Sequence, residues 1–515
     1  MKLSSAAALA VLAAFSSKVH AHNHVEENPQ ECVEDYDPDT DYFPSKWVPD
    51  ETTDLLTVEY FNSYKIVTNK HADKSYLLYQ CGTEPPADEV DKHHLVLSIP
   101  HRGGVVTTQT PQIPPMELLG LRREFKANFN NPKYVSSPCL NNLRDAGDVV
   151  DVYFEDESWG GPKTDAARAE FMAENPDVIV LAGPFGDAAA DRTMAVSASQ
   201  ERTNVATFDW IGMYAALYNL EGQANHIIAG TKSRYECSAR NAASVVADLP
   251  EEEKPTILWA NYFSSGVKVG GEPAEGWSVA ECPTDDHTYY CESAAHCGAS
   301  IIARPEGVGF QDDYGYWYLT DEEFLELGKD AETFIFPSSN FGDIYNSKKE
   351  ILDQFKSVQN ENVYDTQGQG EHAWQETRLA EYDVVTQDMC AIAGTTGPGS
   401  LHVRRWFRSY FKEPIGSLGA CDVDGGEIDL AYVPAQAQCT PFEVMAEPQQ
   451  SDEPVDDADA VEEETSDEDV AEEKPEVEVV VDTEEPEVEV EEDSPASFRS
   501  VGLAAALAIA YPIIA

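Results

Sequence analysis

Hydroxyl, amide and aromatic side chains follow the predicted strands of this chain at the points where the strands end. In open α/β sheets a ligand lies beyond the carboxyl ends of the strands, so these side chains are the candidates for binding one. Tyrosine and tryptophan bury a large area while keeping one polar group, which favours a ligand with an organic body and a polar rim. The candidates are Thr108, Gln109, Ser136, Ser137 and Trp159 in the first half of the chain, and Trp259, Asn261, Tyr262, Ser338, Asn340 and Trp374 in the second.

Sequence motifs of catalysis are absent. The chain contains no GxSxG, HExxH or Walker phosphate-binding motif, and no histidine stands at a catalytic spacing from a serine or cysteine. Its 515 residues carry a formal net charge of −60, which argues against binding to nucleic acid, because nucleic acid requires basic patches. We therefore predict a non-enzymatic protein without a cofactor.

Free metal ions are an alternative ligand, since histidines could supply imidazole groups to zinc, manganese or iron. The histidines in question are His22, His24, His93, His94 and His101. The acidic composition would also draw cations towards the surface. Adjacent histidines in a polar loop are more often solvated than ligating, however, so we assign no metal ligand.

An anionic ligand fits the acidic composition only where arginines create a local positive patch. Many ferric siderophores are anionic, so this condition bears on any ligand of that class. The arginines that could meet it are Arg102, Arg304 and Arg378.

One long helix is predicted in the middle of the chain. After a break at 220–222, small and apolar residues recur at spacings of three and four, which is the stripe of an amphipathic helix. A helix over Gln223–Asp248 is about 39 Å long, roughly the width of a two-lobed protein. Strand-rich segments flank it, so we interpret it as a strut between two lobes; an ordinary long core helix is the alternative.

Strands and helices alternate on both sides of this helix. Before it we predict strands at 64–68 and 75–80, paired as a hairpin, then at 95–100, 104–108, 134–138 and 175–184, with helices at 114–121 and 164–174. After it we predict strands at 255–262, 300–304, 333–337 and 362–365, with helices at 320–328, 348–357 and 401–411. Apolar strands separated by helices indicate parallel packing. The predicted fold class is α/β, with two open α/β lobes of mostly parallel sheets joined by one long helix.

The two ends of the chain predict secretion and membrane attachment. Met1–Ala21 has an early lysine, an apolar run and small residues at a cleavage site, as in a secretory signal peptide. Glu447–Asp493 contains 24 acidic residues and one lysine, a composition that stays extended. The last apolar run is short for a spanning helix and is typical of a glycosylphosphatidylinositol signal, with Ser494 or Ala496 as attachment site. A marginal tail anchor is the alternative.

Ten cysteines remain after removal of the signal peptide, and an even number in a secreted chain indicates disulfides of undetermined pairing. Cys282, Cys291 and Cys297 cluster without a CxxC pair, so we expect a stapled surface loop there rather than a zinc site.

Several motifs resemble one family of binding proteins. They are NPDVIVLAG at 175–183, LEGQAN at 220–225, FKSVQNENVYD at 355–365 and LAEYDVVTQDM at 379–389. Their order, from about Tyr64 to Phe411, resembles the class III substrate-binding proteins of bacterial uptake systems for ferric siderophores, haem and cobalamin. The resemblance implies a ligand held between two lobes, and Glu117 and Glu323 as counterparts of glutamates that dock a permease. The Cys-rich insert and the anchor depart from the bacterial plan and are more like surface relatives in algae and plants.

The predicted organisation combines these features. It comprises a signal peptide (1–21), an acidic leader (22–53), a first α/β lobe (54–205), a connecting helical segment (206–249), a second α/β lobe (250–445) with the Cys-rich insert (266–298), an acidic stalk (446–493) and an anchor signal (494–515). We expect a cell-surface receptor that captures a metal chelate between its lobes for uptake. A free-metal-binding protein, a structural or adhesive protein that keeps the fold without a ligand, and an enzyme built on the scaffold are the alternatives.

Overall fold

A computed structural model describes residues 27–154, 161–184, 186, 190–282, 288–397 and 399–441. The predicted signal peptide, the whole acidic stalk, the anchor signal with Ser494, and the candidate Trp159 lie outside the described residues. Among the helices within the described ranges, none is both long and apolar enough to cross a membrane.

The strands and helices of the described residues are numbered here in chain order. The strands are β1 (Leu56–Tyr60), β2 (Tyr64–Asn69), β3 (Lys74–Gln80), β4 (Leu95–Ile99), β5 (Val105–Thr107), β6 (Phe125–Asn128), β7 (Val150–Asp151), β8 (Ile179–Ala182), β9 (Thr193–Ala195), β10 (Thr256–Val269), β11 (Glu272–Val279), β12 (Ser300–Ile301), β13 (Phe310–Gln311), β14 (Trp317–Tyr318), β15 (Phe334–Phe336), β16 (Val363–Asp365) and β17 (Arg408–Ser409). The helices are α1 (Ile113–Leu118), α2 (Pro138–Ala146), α3 (Pro162–Glu174), α4 (Asn204–Asp209), α5 (Ile211–Tyr218), α6 (Glu221–Val246), α7 (Tyr289–His296), α8 (Asp321–Gly328), α9 (Phe341–Ser347), α10 (Lys349–Leu352), α11 (Lys356–Gln359), α12 (Ala373–Thr377) and α13 (Tyr382–Ala393).

The first lobe contains two sheets that share one core. The sheet β1-β2-β3-β4 includes the predicted hairpin, in which Asn69 pairs with Lys74, and ends in a parallel pair. The second sheet has the order β7-β6-β5-β8-β9, and every pair in it is parallel. The prediction of a strand at 134–138 is wrong, because Pro138 opens α2 and the side chain of Ser137 caps it by accepting the backbone N–H of Leu140.

The second lobe is built on one sheet of order β11-β10-β15-β16-β17, with β12 also paired to β10. The pairs β10–β12, β10–β15 and β15–β16 are parallel. The edge strands β11 and β17 pair antiparallel with β10 and β16. Apolar clusters lie on the two faces of this sheet. The mixed α/β architecture with mostly parallel sheets is therefore as predicted.

The stapled loop that we predicted for Cys282, Cys291 and Cys297 is found only in part, because Cys282 and Cys291 are bonded to each other whereas Cys297 is buried and bonded elsewhere. The strand β10 continues for 14 residues and returns as β11, so the insert begins inside a hairpin. It then forms α7, whose last residue precedes Cys297, and Cys297 is bonded to Cys390 of α13. The insert is thus part of the second-lobe core, and the Cys282–Cys291 bond closes only a short segment within it.

The predicted helix at 401–411 is also wrong. The carboxylate Oδ2 of Asp388, on α13, accepts the backbone N–H groups of Arg405 (2.9 Å), Trp406 (2.6 Å) and Phe407 (3.3 Å). These N–H groups would otherwise donate to carbonyls within a helix, so the buried carboxylate holds the segment extended until it enters the sheet as β17.

The long helix α6 agrees with its predicted bounds to within two residues at each end. It has 26 residues and packs against α5 and α4 on the first-lobe side and against α13 and α7 of the second lobe. Arg234 of α6 also donates to Asp383 of α13 at 2.6 Å. The helix therefore contacts both lobes along its length, as the strut interpretation requires.

A buried ion pair anchors the start of this helix. Lys65 of β2 and Glu221, the first residue of α6, are fully buried and 2.5 Å apart. Lys65 also donates to Asn219 at 2.7 Å, and Glu221 accepts from Asn28 of the leader at 2.7 Å. The strand β2, the helix α6 and the leader are thus all bound to the Lys65–Glu221 ion pair. The described part of the leader packs on the body, as predicted.

The segment after β17 crosses onto the first lobe and is called here the C-terminal strap (residues 412–441). Cys421 of the strap is bonded to Cys139 of α2, and Cys439 is bonded to Cys237 of α6. Between these bonds the side chain of Arg122 donates to the strap carbonyls of Glu427 (2.6 Å) and Leu430 (2.9 Å). The end of the second lobe is therefore covalently held to the first lobe and to the connecting helix.

Removing the Cys139–Cys421 bond should destabilise the protein strongly, because this bond joins residues 282 positions apart. Loop-closure entropy predicts a loss of about 5 to 6 kcal/mol in the free energy of unfolding for the paired substitution Cys139→Ser with Cys421→Ser. The matched control is Cys282→Ser with Cys291→Ser, a separation of 9, for which the loss should be about 2 to 3 kcal/mol. Denaturant unfolding followed by circular dichroism measures both; equal losses would contradict the role given to the strap.

Candidate functional site

The carboxyl ends of the five parallel first-lobe strands meet at one edge of their sheet. The residues that follow them are Thr108 and Gln109 after β5, Phe129 and Asn130 after β6, Tyr153 after β7, Gly183 and Pro184 after β8, and Val196 after β9. A Cβ at position 183 would lie 1.9 Å from the side-chain oxygen of Gln109, so glycine there lets this side chain lie flat against the β8 loop. Every strand of the sheet thus contributes to one surface.

A cavity of about 910 Å³ lies on this surface. Phe208, Trp210, Ile211 and Tyr214 of α4 and α5 form much of its apolar wall, together with Leu118 and Met172. Its volume falls within the range of small-molecule sites, and such sites are lined mainly by apolar and aromatic side chains with a few polar groups.

The second lobe closes the other side of the cavity with α12 and its flanking residues. The contributing residues are His372, Gln375, Arg378, Leu379 and Ala380. The ring of His372 meets the ring of Tyr134 from the first lobe edge to face, with centroids 5.1 Å apart. Burial lowers the pKa of His372, so this imidazole is neutral at physiological pH. The cavity is therefore an interlobe site, although most of its wall comes from the first lobe.

A buried glutamate forms hydrogen bonds across one side of the interlobe contact. Glu376 of α12 has no exposed surface and accepts the backbone N–H groups of Ser136 (2.9 Å) and Ser137 (2.7 Å) at the start of α2. The Ser137 hydroxyl donates in turn to Glu117 at 2.7 Å, and Arg122 donates to the same carboxylate at 2.6 Å. Burial, with the Glu117 charge nearby, raises the pKa of Glu376 to about 8 in spite of these N–H donors.

A second glutamate of the second lobe makes an equivalent contact at another point. Glu292 of α7 accepts the backbone N–H of Asn204, the first residue of α4, at 2.7 Å. Its other oxygen accepts the hydroxyl of Tyr235 from α6 at 2.8 Å. Both contacts place a second-lobe carboxylate on N–H groups at the start of a first-lobe helix, where such groups lack partners within the helix.

The structure brings two of the sequence-predicted site residues to the cavity, Thr108 and Gln109. Ser136 and Ser137 lie beside it in the contact with Glu376, and Ser137 acts as the N-cap of α2. Trp159 lies outside the described residues.

The second-lobe candidates lie elsewhere. Trp259 and Trp374 are 2% and 1% exposed in the core, where the Trp259 ring stacks on Tyr290 at 5.2 Å. Asn261 and Tyr262 are mid-strand residues, because β10 does not end at 262 as predicted but runs on to Val269. Ser338 lies in the turn after β15, and Asn340 is exposed at the start of α9. None of these six residues lines the cavity.

The three candidate histidines within the described residues are held by hydrogen bonds and belong to no metal-ligating cluster there. His93 contacts Ser75 (2.7 Å), His94 contacts the Ala190 carbonyl (3.2 Å) and His101 contacts the Gly104 carbonyl (3.1 Å). Among the described residues the only group of metal-ligating side chains is Cys139, Cys421 and Glu427, and those two cysteines are bonded to each other. His22 and His24 lie outside the described residues.

No protein-family model matches the sequence, and no curated protein sequence matches it. The similar solved structures include a periplasmic binding protein from Veillonella parvula, with 12% identity, coverage of 66% of this chain and 97% of that one, and a TM-score of 0.40. A periplasmic haem-binding protein from Pseudomonas aeruginosa has 12% identity, coverage of 57% and 94%, and a TM-score of 0.37. The triscatecholate siderophore-binding protein of Bacillus subtilis, solved with ferri-bacillibactin, has 13% identity, coverage of 58% and 94%, and a TM-score of 0.37.

Replacing Glu376 with glutamine should flatten the pH dependence of stability. Its folded pKa of about 8 lies above the ordinary value of 4.5, so the stabilisation that protonation gives is complete below about pH 4.5 and is lost as pH rises through 8. The difference in unfolding free energy between wild type and Glu376→Gln should therefore move in favour of the variant, by at most about 1.4 kcal/mol per pH unit between pH 5 and 8.

Chemical denaturation at intervals between pH 5 and 9 measures this difference. The exposed Glu371→Gln is the matched control for the Glu-to-Gln change itself. A flat profile for Glu376→Gln would show that the carboxylate is ionised at no cost in the folded state.

Proposed function

We propose that this chain is a non-enzymatic binding protein that holds a small organic molecule in the cavity between its lobes. The observation that carries the proposal is the 910 Å³ cavity at the carboxyl ends of the parallel strands, with an aromatic wall and a few convergent polar groups. The polar side chains that meet there, such as Gln109, Gln375 and Arg378, provide hydrogen-bond donors around an apolar interior.

We further propose that the molecule is a metal chelate, as the sequence resemblance implies. In a ferric siderophore the chelator can supply all the metal ligands, so the protein needs to recognise only an organic surface. The lining suits this task, because its aromatic residues offer area for an organic body and no carboxylate-histidine cluster is available for a bare ion among the described residues.

A location at the cell surface is part of the proposal. All ten cysteines are paired in five disulfides, which supports folding in an oxidising compartment. The predicted signal peptide and lipid anchor would place the chain on the outer leaflet, and an uptake partner would then be needed for internalisation. That partner would not find Glu117 exposed, because this glutamate is 5% exposed and Tyr432 of the strap donates its N–H to the Glu117 carbonyl at 2.7 Å.

The structural or adhesive alternative would require that the cleft has lost its space for a ligand. A cavity of this volume speaks against that alternative, since protein interiors are otherwise closely packed and seldom keep large voids. The free-metal alternative has no described set of ligands to support it.

Filling the cavity tests the proposal. Ala166 and Ala169 are both exposed residues of α3, and of the two only Ala169 lines the cavity. We expect native mass spectrometry of the secreted body to show a one-to-one adduct with a member of a panel of ferric chelates, haem and cobalamin. Ala169→Trp should weaken that adduct by at least tenfold, whereas the matched control Ala166→Trp should leave it unchanged.

A panel that gives no adduct with the wild-type protein would refute the chelate class. An adduct that both tryptophan variants retain would place the ligand outside the cavity. Divalent zinc, manganese and iron salts belong in the same panel, because a bare-metal adduct would favour the alternative ligand.

A further inference from the structure

Arg378 is a buried arginine on the wall of the cavity and has no acidic partner among the residues that the structure describes. Its residue surface is 8% exposed, and it lines the cavity from the second-lobe side. Among the described residues its side chain makes one long hydrogen bond, from Nη1 to the Trp374 carbonyl at 3.3 Å, and no ion pair. A guanidinium has five N–H donors, so most of its hydrogen-bonding capacity is unused by the described part of the protein.

The surroundings of Arg378 hold its position without neutralising its charge. Its guanidinium lies over the ring of Tyr289 at 4.7 Å and over that of Trp374 at 5.3 Å. These contacts orient the planar group between two aromatic faces, while burial lowers the pKa of Arg378. An arginine stays charged under such conditions, so the protein carries the cost of a desolvated cation at this point.

The other two arginines that the sequence suggested are neutralised elsewhere. Arg102 is exposed and pairs with Glu31 at 3.0 Å. Arg304 pairs with Glu281 at 2.6 Å and lies over Trp317 at 4.3 Å, and neither lines the cavity. Both of these arginines thus have a carboxylate partner, whereas Arg378 has none among the described residues.

A second arginine reaches the cavity from the first lobe. Arg168 of α3 lines it and donates one N–H to the Phe129 carbonyl, while its Nε is buried without a partner among the described residues. Its nearest carboxylate in those residues is that of Asp165, 3.8 Å away and 69% exposed. Arg378 and Arg168 therefore present incompletely satisfied cations to one cavity from opposite lobes.

The remaining charged groups of the cavity wall do not cancel this pair. Arg192 donates to the carbonyls of Met172, Asn175 and Val178, which surround the end of α3. Asp191 is the one carboxylate among the described lining residues, and it is exposed. The described part of the cavity wall is thus positive, although the chain as a whole is strongly acidic.

We infer that the ligand of this cavity is an organic anion whose acidic group is bound by Arg378, with Arg168 as a second contact from the opposite lobe. This inference rests on the proposed function and specifies the chemical class of its ligand. A carboxylate or sulfonate accepts two parallel N–H bonds from a guanidinium, which supplies the partner that Arg378 lacks. Contact with arginines of both lobes also means that the anion draws the lobes together when it binds.

Two fluorescent dyes that differ only in one acidic group test the inference. Anilinonaphthalene sulfonate is an anion, and N-phenylnaphthylamine is the same aromatic body without the sulfonate. Each dye is titrated into the wild-type protein and into Ala169→Trp. The part of the fluorescence signal that is lost in Ala169→Trp is taken as binding in the cavity. We expect the wild-type protein to bind the sulfonate at least tenfold more tightly than the neutral dye.

The substitution Arg378→Met should weaken sulfonate binding by about tenfold and leave the neutral dye within twofold, since one charge-assisted contact is lost. Arg304→Met is the matched control and should change neither. Methionine replaces a buried, unpaired cation with an apolar side chain. The midpoint of thermal unfolding of Arg378→Met without ligand should therefore not fall below that of the wild type. If Arg378→Met fails to fold, Arg168→Met on the first lobe serves instead, and the same comparison of the two dyes is made with it.

The outcomes separate the two proposals. Cavity binding of both dyes with equal affinity, unaffected by either arginine substitution, overturns the anion assignment and leaves the binding function standing. A fall in the unfolding midpoint with unchanged dye preference assigns Arg378 a structural role and likewise overturns it. If neither dye shows cavity binding in the wild-type protein, the anion assignment is overturned, whereas the proposed function is decided by the chelate panel.

Discussion

The arrangement of the two lobes depends on buried glutamate carboxyl groups that accept backbone N–H groups across the interface. Glu376 and Glu292 belong to the second lobe, and each meets the first turn of a first-lobe helix. The N–H groups at a helix start have no partner within the helix, so a carboxylate there satisfies groups that would otherwise be buried unpaired. These hydrogen bonds form only when the two lobes hold one relative position, so they specify the position of α12 over the first-lobe sheet. The cavity is the space that remains between the lobes in that position.

The charge of the cavity is opposed to the charge of the chain, and the two act over different distances. The net charge of −60 creates a field that repels an approaching anion, but salt screens it beyond about 8 Å at physiological ionic strength. Inside the cavity the local dielectric is lower, and the guanidinium groups of Arg378 and Arg168 dominate. The acidic surface should thus slow the association of an anionic ligand rather than weaken the bound complex. A receptor of this kind would favour ligands whose charge is small compared with their organic surface.

Local signals made much of the fold predictable, and long-range contacts account for what was missed. The stripe of α6, the hairpin around Asn69 and the Thr320 cap of α8 are each specified by residues within the element. In contrast, the fate of 401–411 depends on Asp388, and the continuation of β10 depends on its partner β11. Of the site, Thr108 and Gln109 followed from their place after a strand. Glu376 and the isolation of Arg378 had no local signature, because a glutamate or arginine in a short helical segment reads as a solvated surface residue.

Opening of the cavity has to be compatible with the covalent links of the strap. The disulfides join the strap to α2 and α6, whereas its contact with the second lobe is through hydrogen bonds such as Gly416 N–H to the Gln367 carbonyl at 3.0 Å. The chain from Gly416 to Cys421 can span at most roughly 17 Å when fully extended. The strap therefore permits the lobes to separate at this edge but bounds the distance, and α6 limits rotation on the other side. The contacts across the seam between the lobes include the N–H bonds to Glu376 and Glu292 and the packing of the Tyr382 ring against that of Phe208, with centroids 5.3 Å apart. All of them are non-covalent, so opening at the seam would break no covalent bond there.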